Sequence, residues 1–379
     1  MQLDELRAQI DRIDDEILAL FKRRMEAGRQ AGQYKRERGL PVFDRERERD
    51  ELYRVASGLD PEMTTYGRVL FTTLFEMSRS YQNREVPRGS HTSDLIGKAI
   101  DETPTAFPDS AVVACQGVEG AYSQAACDRL FALPKIMYVN SFEGVFQAVD
   151  GGLCRFGVLP LENSTAGSVN EVYDLMNRYR FHIVRSVRLK IQHTLLAPAG
   201  AKLADVKEIF SHEQAIRQCG QFLGTLKGVK ITACENTAVA AKRLAESGRA
   251  DVAAISSESC AEQYGLSVLS YNIANSDSNY TRFICISKKT EIYPGANRTS
   301  LMLSLKNEPG SLYSVLAKFN ALGVNLIKLE SRPIPGSDFE FMFYFDIDAS
   351  VYSEALREIV TELEQESALF NYLGSYQEM

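Results

Sequence analysis

From Gln2 to Leu40 the chain contains no proline, and Leu3, Leu6, Ile10, Ile13, Ile17 and Leu20 recur at steps of three and four. That spacing lines one face of an α-helix. A helix of about 36 residues would be roughly 54 Å long at 1.5 Å per residue. The first 84 residues are rich in Arg, Glu, Asp and Leu and read as helical throughout. A block that small cannot cover so long a stripe by itself. A second copy of the chain must do so, and an intertwined dimer is expected.

The stripe runs on through Arg24, Ala27, Ala31 and Tyr34. Arg24 and Lys35 are eleven positions apart, which places them within roughly 20° of each other at about 100° per residue. Ala27, Gly28, Ala31 and Gly32 between them are small. Buried cations without partners are costly, so this face outlines a pocket for a compact anion. Arg7 lies roughly 100° around the same helix from Arg24 and is expected to reach the other subunit's pocket. The run RERERDELYR (45–54) reads instead as a solvated face laced by i,i+4 ion pairs.

Composition narrows the classes of partner. No apolar run approaches the roughly 18 residues of a membrane span, and the acidic N-terminus is unlike a secretory signal; a cytoplasmic protein is expected. A net charge of −7 argues against nucleic acid, so anions must be held by local clusters of Arg and Lys. Seven cysteines without a C-x-x-C pair argue against disulfides and structural zinc.

These residues carry a first resemblance. Leu-Arg-x-x-Ile-Asp-x-Ile-Asp (6–14), Arg-Arg (23–24), Gly-x-x-Lys (32–35), Pro-Val-x-Asp-x-x-Arg-Glu (41–48) and Glu-x-Ser-x-x-x-Gln (76–82) resemble the all-helical chorismate mutases. The resemblance implies that Arg24, Arg47 and the partner chain's Arg7 clamp two carboxylates. Lys35 and Gln82 would hydrogen-bond the ether oxygen, Glu48 the hydroxyl, with Ser78 and Asp44 lining the pocket. The chemistry suits such a set, because a Claisen rearrangement needs only a held conformer and positive charge beside the breaking bond.

Beyond a polar linker (85–109), a block from 110 to 290 alternates short β-branched runs with helical patterns, the mark of α/β layers with largely parallel sheets. Gly-x-x-Gly-x-Tyr-Ser (117–123) follows a strand and opens a helix, a geometry suited to anions. Polar runs at 160–169 and 211–215 follow strands, at the edge where open α/β sheets bind ligands; helix capping is the plainer alternative for each. Asn-Tyr-Thr-Arg-Phe (279–283) is read as lying just before the last strand, RFICIS.

Together these motifs resemble prephenate dehydratase, which implies two α/β lobes around a cleft, similar to periplasmic binding proteins. The first motif departs from the family, having Gln116-Gly117-Val118 in place of the usual Gly-Pro pair. By the resemblance Thr281 is the catalytic threonine, orienting or relaying a proton to the leaving hydroxyl. Glu162 or His212 would assist. Asn163, Ser164, Ser211, Gln214, Asn236, Thr237 and Arg282 are candidates for the cleft lining.

Residues 298–379 read βαββαβ, with turns at Pro309-Gly310 and Pro335-Gly336, which is the ferredoxin-like plan. Glu-Pro-Gly-Ser-Leu-Tyr (308–313) and Asn-Leu-x-x-x-Glu-Ser-Arg-Pro (325–333) resemble the signatures of phenylalanine-binding ACT domains. Gly310, Ser311, Leu312, Asn325, Glu330, Ser331, Arg332 and Pro333 would then form an allosteric phenylalanine site.

The reading is multidomain: a helical mutase, a two-lobed α/β dehydratase and an α+β regulatory unit, in a homodimer or homotetramer. Its expected ligands are chorismate and prephenate, with phenylalanine as inhibitor. No metal or organic cofactor is expected, since neither reaction transfers electrons. Two rivals remain open: an enzyme preferring arogenate, and a non-enzymatic amino-acid sensor.

Overall fold

The computed structural model describes residues 3–84, 90–334 and 340–379; the expected Pro335-Gly336 turn lies outside them. The N-terminal block is three helices: α1 (Leu3–Glu37), α2 (Arg45–Ser57) and α3 (Pro61–Arg84). Helices α1 and α2 both pack on α3. Gly28 and Gly32 allow this approach, because a Cβ on either would stand 2.6 Å from Ser78 Oγ or 2.8 Å from Gln82 Cγ. Among the described residues, the apolar stripe of α1 finds no such cover. Leu3, Ile10, Ile17 and Leu20 are 56–62% exposed.

Helix α4 (His91–Glu102) buries Ile96 and Ala99 against the C-terminal core. Its first turn is tied down by Ser90 Oγ and Thr92 Oγ1, which both donate to Glu364.

The first lobe of the α/β block contains β1 (Val112–Gln116), α5 (Tyr122–Leu130), β2 (Lys135–Val139), α6 (Phe142–Asp150) and β3 (Phe156–Asn163). It continues with β4 (Gly167–Ser168), α7 (Asn170–Tyr179) and β5 (His182–Lys190). The second lobe holds β6 (Thr194–Ala197), β7 (Glu208–His212), α8 (Glu213–Gln218), α9 (Gly220–Gly224) and β8 (Lys230–Cys234). It ends with α10 (Thr237–Glu246), β9 (Val252–Ser256), α11 (Ser259–Gln263) and β10 (Ser267–Ser270), and β11 (Tyr280–Ser287) returns to the first lobe.

The sheets are mixed, not largely parallel as expected. Strand β1 pairs parallel with β2 and β3, but β11 lies antiparallel between β3 and β5. In the second lobe β8, β7 and β9 are parallel while β6 and β10 are antiparallel. An apolar run specifies a buried strand but not its direction; here the crossover at β5 and the return at β11 set it.

The C-terminal block is β12 (Arg298–Leu305), α12 (Ser311–Ala321), β13 (Asn325–Pro333), β14 (Phe341–Asp348), α13 (Glu354–Glu366) and β15 (Phe370–Glu378). Its strands stand in the order β13-β14-β12-β15, all antiparallel. Leu301, Leu303, Phe345, Leu356, Ile359 and Val360 fill its core. At its edge Gln377 and Glu378 pair with Arg185 and Ser186 of β5, so the two blocks share one sheet. Among the described residues, no helix is long and apolar enough to cross a membrane.

Candidate active sites

The three N-terminal helices enclose a cavity of ≈ 370 Å³. Helix α1 contributes Arg24, Ala27, Ala31 and Lys35; α2 and its cap give Asp44, Arg47, Glu48 and Glu51; α3 gives Phe75, Ser78, Arg79 and Gln82. Seven residues singled out in the sequence thus meet in one place. Arg24 donates to Leu74 O at 3.0 Å and Lys35 Nζ to Val42 O at 2.8 Å, which holds both cations at the wall with donors to spare. Burial lowers the pKa of Arg24, opposed by the charges of Glu51 and Glu48. Gln82 donates to Ser78 Oγ at 3.2 Å.

Three details were not foreseen. Asp44 is the N-cap of α2, its carboxylate accepting from Arg47 N–H at 3.1 Å. Glu48 is bound by Arg79, a cation the sequence reading did not select although it lies inside the motif at 76–82. Gly28 and Gly32 serve helix packing more than cavity volume. Arg7 is remote from this pocket; its side chain is two-thirds exposed and pairs with Asp4 at 3.4 Å.

A second cavity of ≈ 400 Å³ opens between the α/β lobes. Asn163 and Thr281 from one lobe face His212, Gln214, Asn236 and Thr237 from the other. Asn236 caps α10 by accepting from Val239 N–H at 2.8 Å, and the N-terminus of α5 (Tyr122, Ser123) lines the opposite wall. Asn163 Oδ1 accepts from the backbone N–H groups of Thr165 and Ala166 at 3.1 and 2.9 Å. Its Nδ2 must then point the other way, donating to Asn279 Oδ1 at 2.7 Å and Thr281 Oγ1 at 2.9 Å. With its oxygen already accepting, the Thr281 hydroxyl keeps its proton for the cleft.

Four expected lining residues lie elsewhere. Strand β11 begins at Tyr280, not at Arg282, so successive side chains there take opposite faces. Arg282 therefore points behind the sheet, 2% exposed, to Glu162 at 2.7 Å and to Asp346. Glu162 turns the same way by alternation with Asn163. Ser211 is fully buried, donating to Ile255 O at 3.0 Å. Ser164 holds the rim loop, donating to Ser278 O and accepting from Tyr280 N–H.

Two further residues escaped the sequence reading. His193 is buried in the cleft wall with a lowered pKa, caused by burial, and contacts Gln218 Oε1 at 2.8 Å. Arg217 lines an adjoining cavity of ≈ 400 Å³ with Thr165, Asn275 and Ser276; Gln214 and Gln218 face both cavities. His212 likewise has a pKa lowered by burial.

In the C-terminal block Gly310 has φ 94° and precedes α12, with Ser311 and Leu312 in its first turn. Asn325 starts β13. Glu330 accepts from Ser168 Oγ at 2.8 Å and Arg332 contacts Asp174 at 2.9 Å, so both face the α/β block. Ser331 and Pro333 alternate to the exposed side.

Residues 6–83 match the family of chorismate mutase type II and residues 113–291 that of prephenate dehydratase. The bifunctional chorismate mutase/prephenate dehydratase of Escherichia coli K12 is 31% identical, over 98% of this chain and 95% of its own length. The arogenate dehydratase/prephenate dehydratase 2 of Arabidopsis thaliana is 37% identical over 78% of this chain and 82% of its own. The structure of prephenate dehydratase with L-Phe from Arthrobacter aurescens superposes with TM-score 0.64 at 28% identity, covering 70% of this chain and 89% of that one. With both pockets built and the match running nearly end to end, this chain belongs to the family of bifunctional chorismate mutase/prephenate dehydratases.

Proposed function

We propose that chorismate rearranges to prephenate in the helical pocket, and that prephenate loses water and carbon dioxide in the interlobe cleft to give phenylpyruvate. The observation that carries this reading is the convergence of Arg24, Lys35, Arg47, Glu48, Ser78 and Gln82 on one cavity. Arg24 and Arg47 bind the substrate's carboxylates, completed by Arg7 of a second copy across the exposed stripe of α1. Lys35 and Gln82 stabilise the negative charge that grows on the ether oxygen.

In the cleft the Thr281 hydroxyl donates to the departing hydroxyl, held by Asn163. A threonine is a weak acid, so its part is to orient a proton while aromatisation drives the loss of carbon dioxide. The N-termini of α10 and α5 supply N–H groups for the pyruvyl carboxylate. His212 stands by the cleft in its neutral form at pH 7, because its pKa is lowered from 6.5 by burial.

The C-terminal block is read as a ferredoxin-like ACT unit that binds phenylalanine at the Gly310 turn and β13. Support comes from its βαββαβ strand order and from the likeness to a dehydratase solved with L-Phe. The likeness to the Arabidopsis enzyme keeps arogenate as a second substrate to be tried. Incubation with chorismate, following prephenate and phenylpyruvate with and without phenylalanine, tests all of this together. Phenylpyruvate formation suppressed by phenylalanine is the expected result; unconsumed chorismate would refute the assignment of the helical pocket.

A further inference from the structure

The strand pair that builds the cleft wall carries a second pair on its back. Thr281 stands opposite Asn163 and Arg282 opposite Glu162. Alternation sends the first pair to the cleft and the second to the C-terminal block. The register of this ladder slips immediately beyond, between Arg282 and Phe283. At such a bulge ladder hydrogen bonds are locally disrupted, and side-chain contacts gain influence over where the strands lie.

Those contacts come from another domain. Arg282 Nη2 meets Asp346 of β14 at 2.5 Å, and Asp346 also accepts from Ser300 Oγ. Glu162 is bound by Lys328 of β13, whose Nζ also donates to Ser168 Oγ at 3.0 Å. Ser168 in turn donates to Glu330 and sits opposite Glu162 in the β3–β4 pair. Arg282 and Asp346 are 2% and 6% exposed. A guanidinium so buried tolerates its site only while its carboxylates are present. Loss of one leaves Arg282 with an uncompensated buried charge, and a shift that relieves it pulls on the strand that also carries Thr281.

We propose that Asp346 and Lys328 of the C-terminal domain are positioning residues for the dehydration step, setting the Thr281–Asn163 pair through Arg282 and Glu162. The proposal rests on the reading of Thr281 as the group that meets the leaving hydroxyl. On this view the C-terminal domain completes the dehydratase site even with no amino acid bound. The alternating charged face of β13 is then part of that site's scaffold.

The test uses the full chain with Asp346→Asn, Lys328→Met and Thr281→Ala, alone and combined, assayed on prephenate. Each positioning variant should lower kcat about 10- to 100-fold, the scale of a small misplacement of a reacting group. KM should stay within about twofold and chorismate turnover unchanged, which also reports folding. Asp346→Asn added to Thr281→Ala should cost nothing further on the residual rate, since residues acting through one group are not additive. Wild-type kcat in the folded variants, or a fully additive double variant, overturns the proposal. If Asp346→Asn loses both activities through misfolding, Lys328→Met at the domain boundary decides. Full prephenate turnover by Thr281→Ala would instead refute the reading of Thr281 itself.

Discussion

Asn163 Nδ2 donates to Thr281 Oγ1 at 2.9 Å, while the Asn163 carbonyl oxygen is occupied by two backbone N–H groups. The amide cannot flip without losing those bonds, so the threonine oxygen is an acceptor here and its proton is free. This arrangement predicts a graded series. Thr281→Ala should stop the chain at prephenate, with a loss of about 10²-fold or more, the usual range for a proton-handling group. Thr281→Ser should keep most of the rate. Accumulation of prephenate from chorismate measures both, and a serine variant as poor as alanine would contradict the hydroxyl's role.

The helical pocket predicts the converse. Among the described residues Lys35 Nζ donates to one acceptor, Val42 O, which leaves two donors for an ether oxygen. Lys35→Ala should lower chorismate turnover by about 10²-fold or more, as removal of a preorganised charge-stabilising donor does. Prephenate turnover should remain near wild type. Loss of both activities in a folded variant would show that the two sites are not separate.

A mixed population tests the second copy. Arg7 is far from the pocket of its own chain, and the α1 stripe is uncovered. Arg7→Ala and Lys35→Ala should each be poor mutases alone. Unfolded and refolded together, they should regain activity at about a quarter of all sites, since only mixed dimers carry one intact pocket. No recovery in a population shown to contain mixed dimers would exclude a shared site.

Much of this was legible in the residues. The helical pocket could be read because Arg24 and Lys35 stand on one helix, where 3.6 residues per turn fixes their relative direction. What joins them to Arg79, two helices further along the chain, depends on packing that Gly28 and Gly32 permit. In the cleft, Thr281 and Asn163 were legible as motif members, but Arg282 and Glu162 were carried along with them. A strand read from Arg282 instead of Tyr280 leaves out the alternation that separates Thr281 from Arg282. The buried ion network could not be read locally, since Asp346 and Lys328, which complete it, come from the block that follows in the chain. Strand direction was illegible because apolar runs look alike in parallel and antiparallel sheets.

The adjoining cavity predicts a binding residue. Arg217 is the one Arg or Lys lining either ≈ 400 Å³ cavity of the cleft among the described residues, and prephenate carries two carboxylates. Arg217→Ala should raise KM for prephenate about tenfold with kcat little changed, the pattern of lost uniform binding. A fall in kcat at unchanged KM would place Arg217 in the chemistry instead.

The last prediction concerns pH. Burial lowers the pKa of His193 from 6.5, against its contact with Gln218. As pH falls below 6.5 the unfolded chain takes up a proton that the folded chain refuses, so stability declines from there through the folded pKa. His212 adds in the same direction. The paired carboxylates act lower: Glu208, held to about 2 by hydrogen bonds from Thr232 and Arg249, loses its contribution only below its unfolded value near 4.5. Between pH 7 and pH 5, then, the histidines dominate. The melting temperature of the dehydratase block should drop over that window, and His193→Gln, which keeps an N–H for Gln218, should flatten the drop. An equal fall in the variant would mean that some other group carries the acid sensitivity.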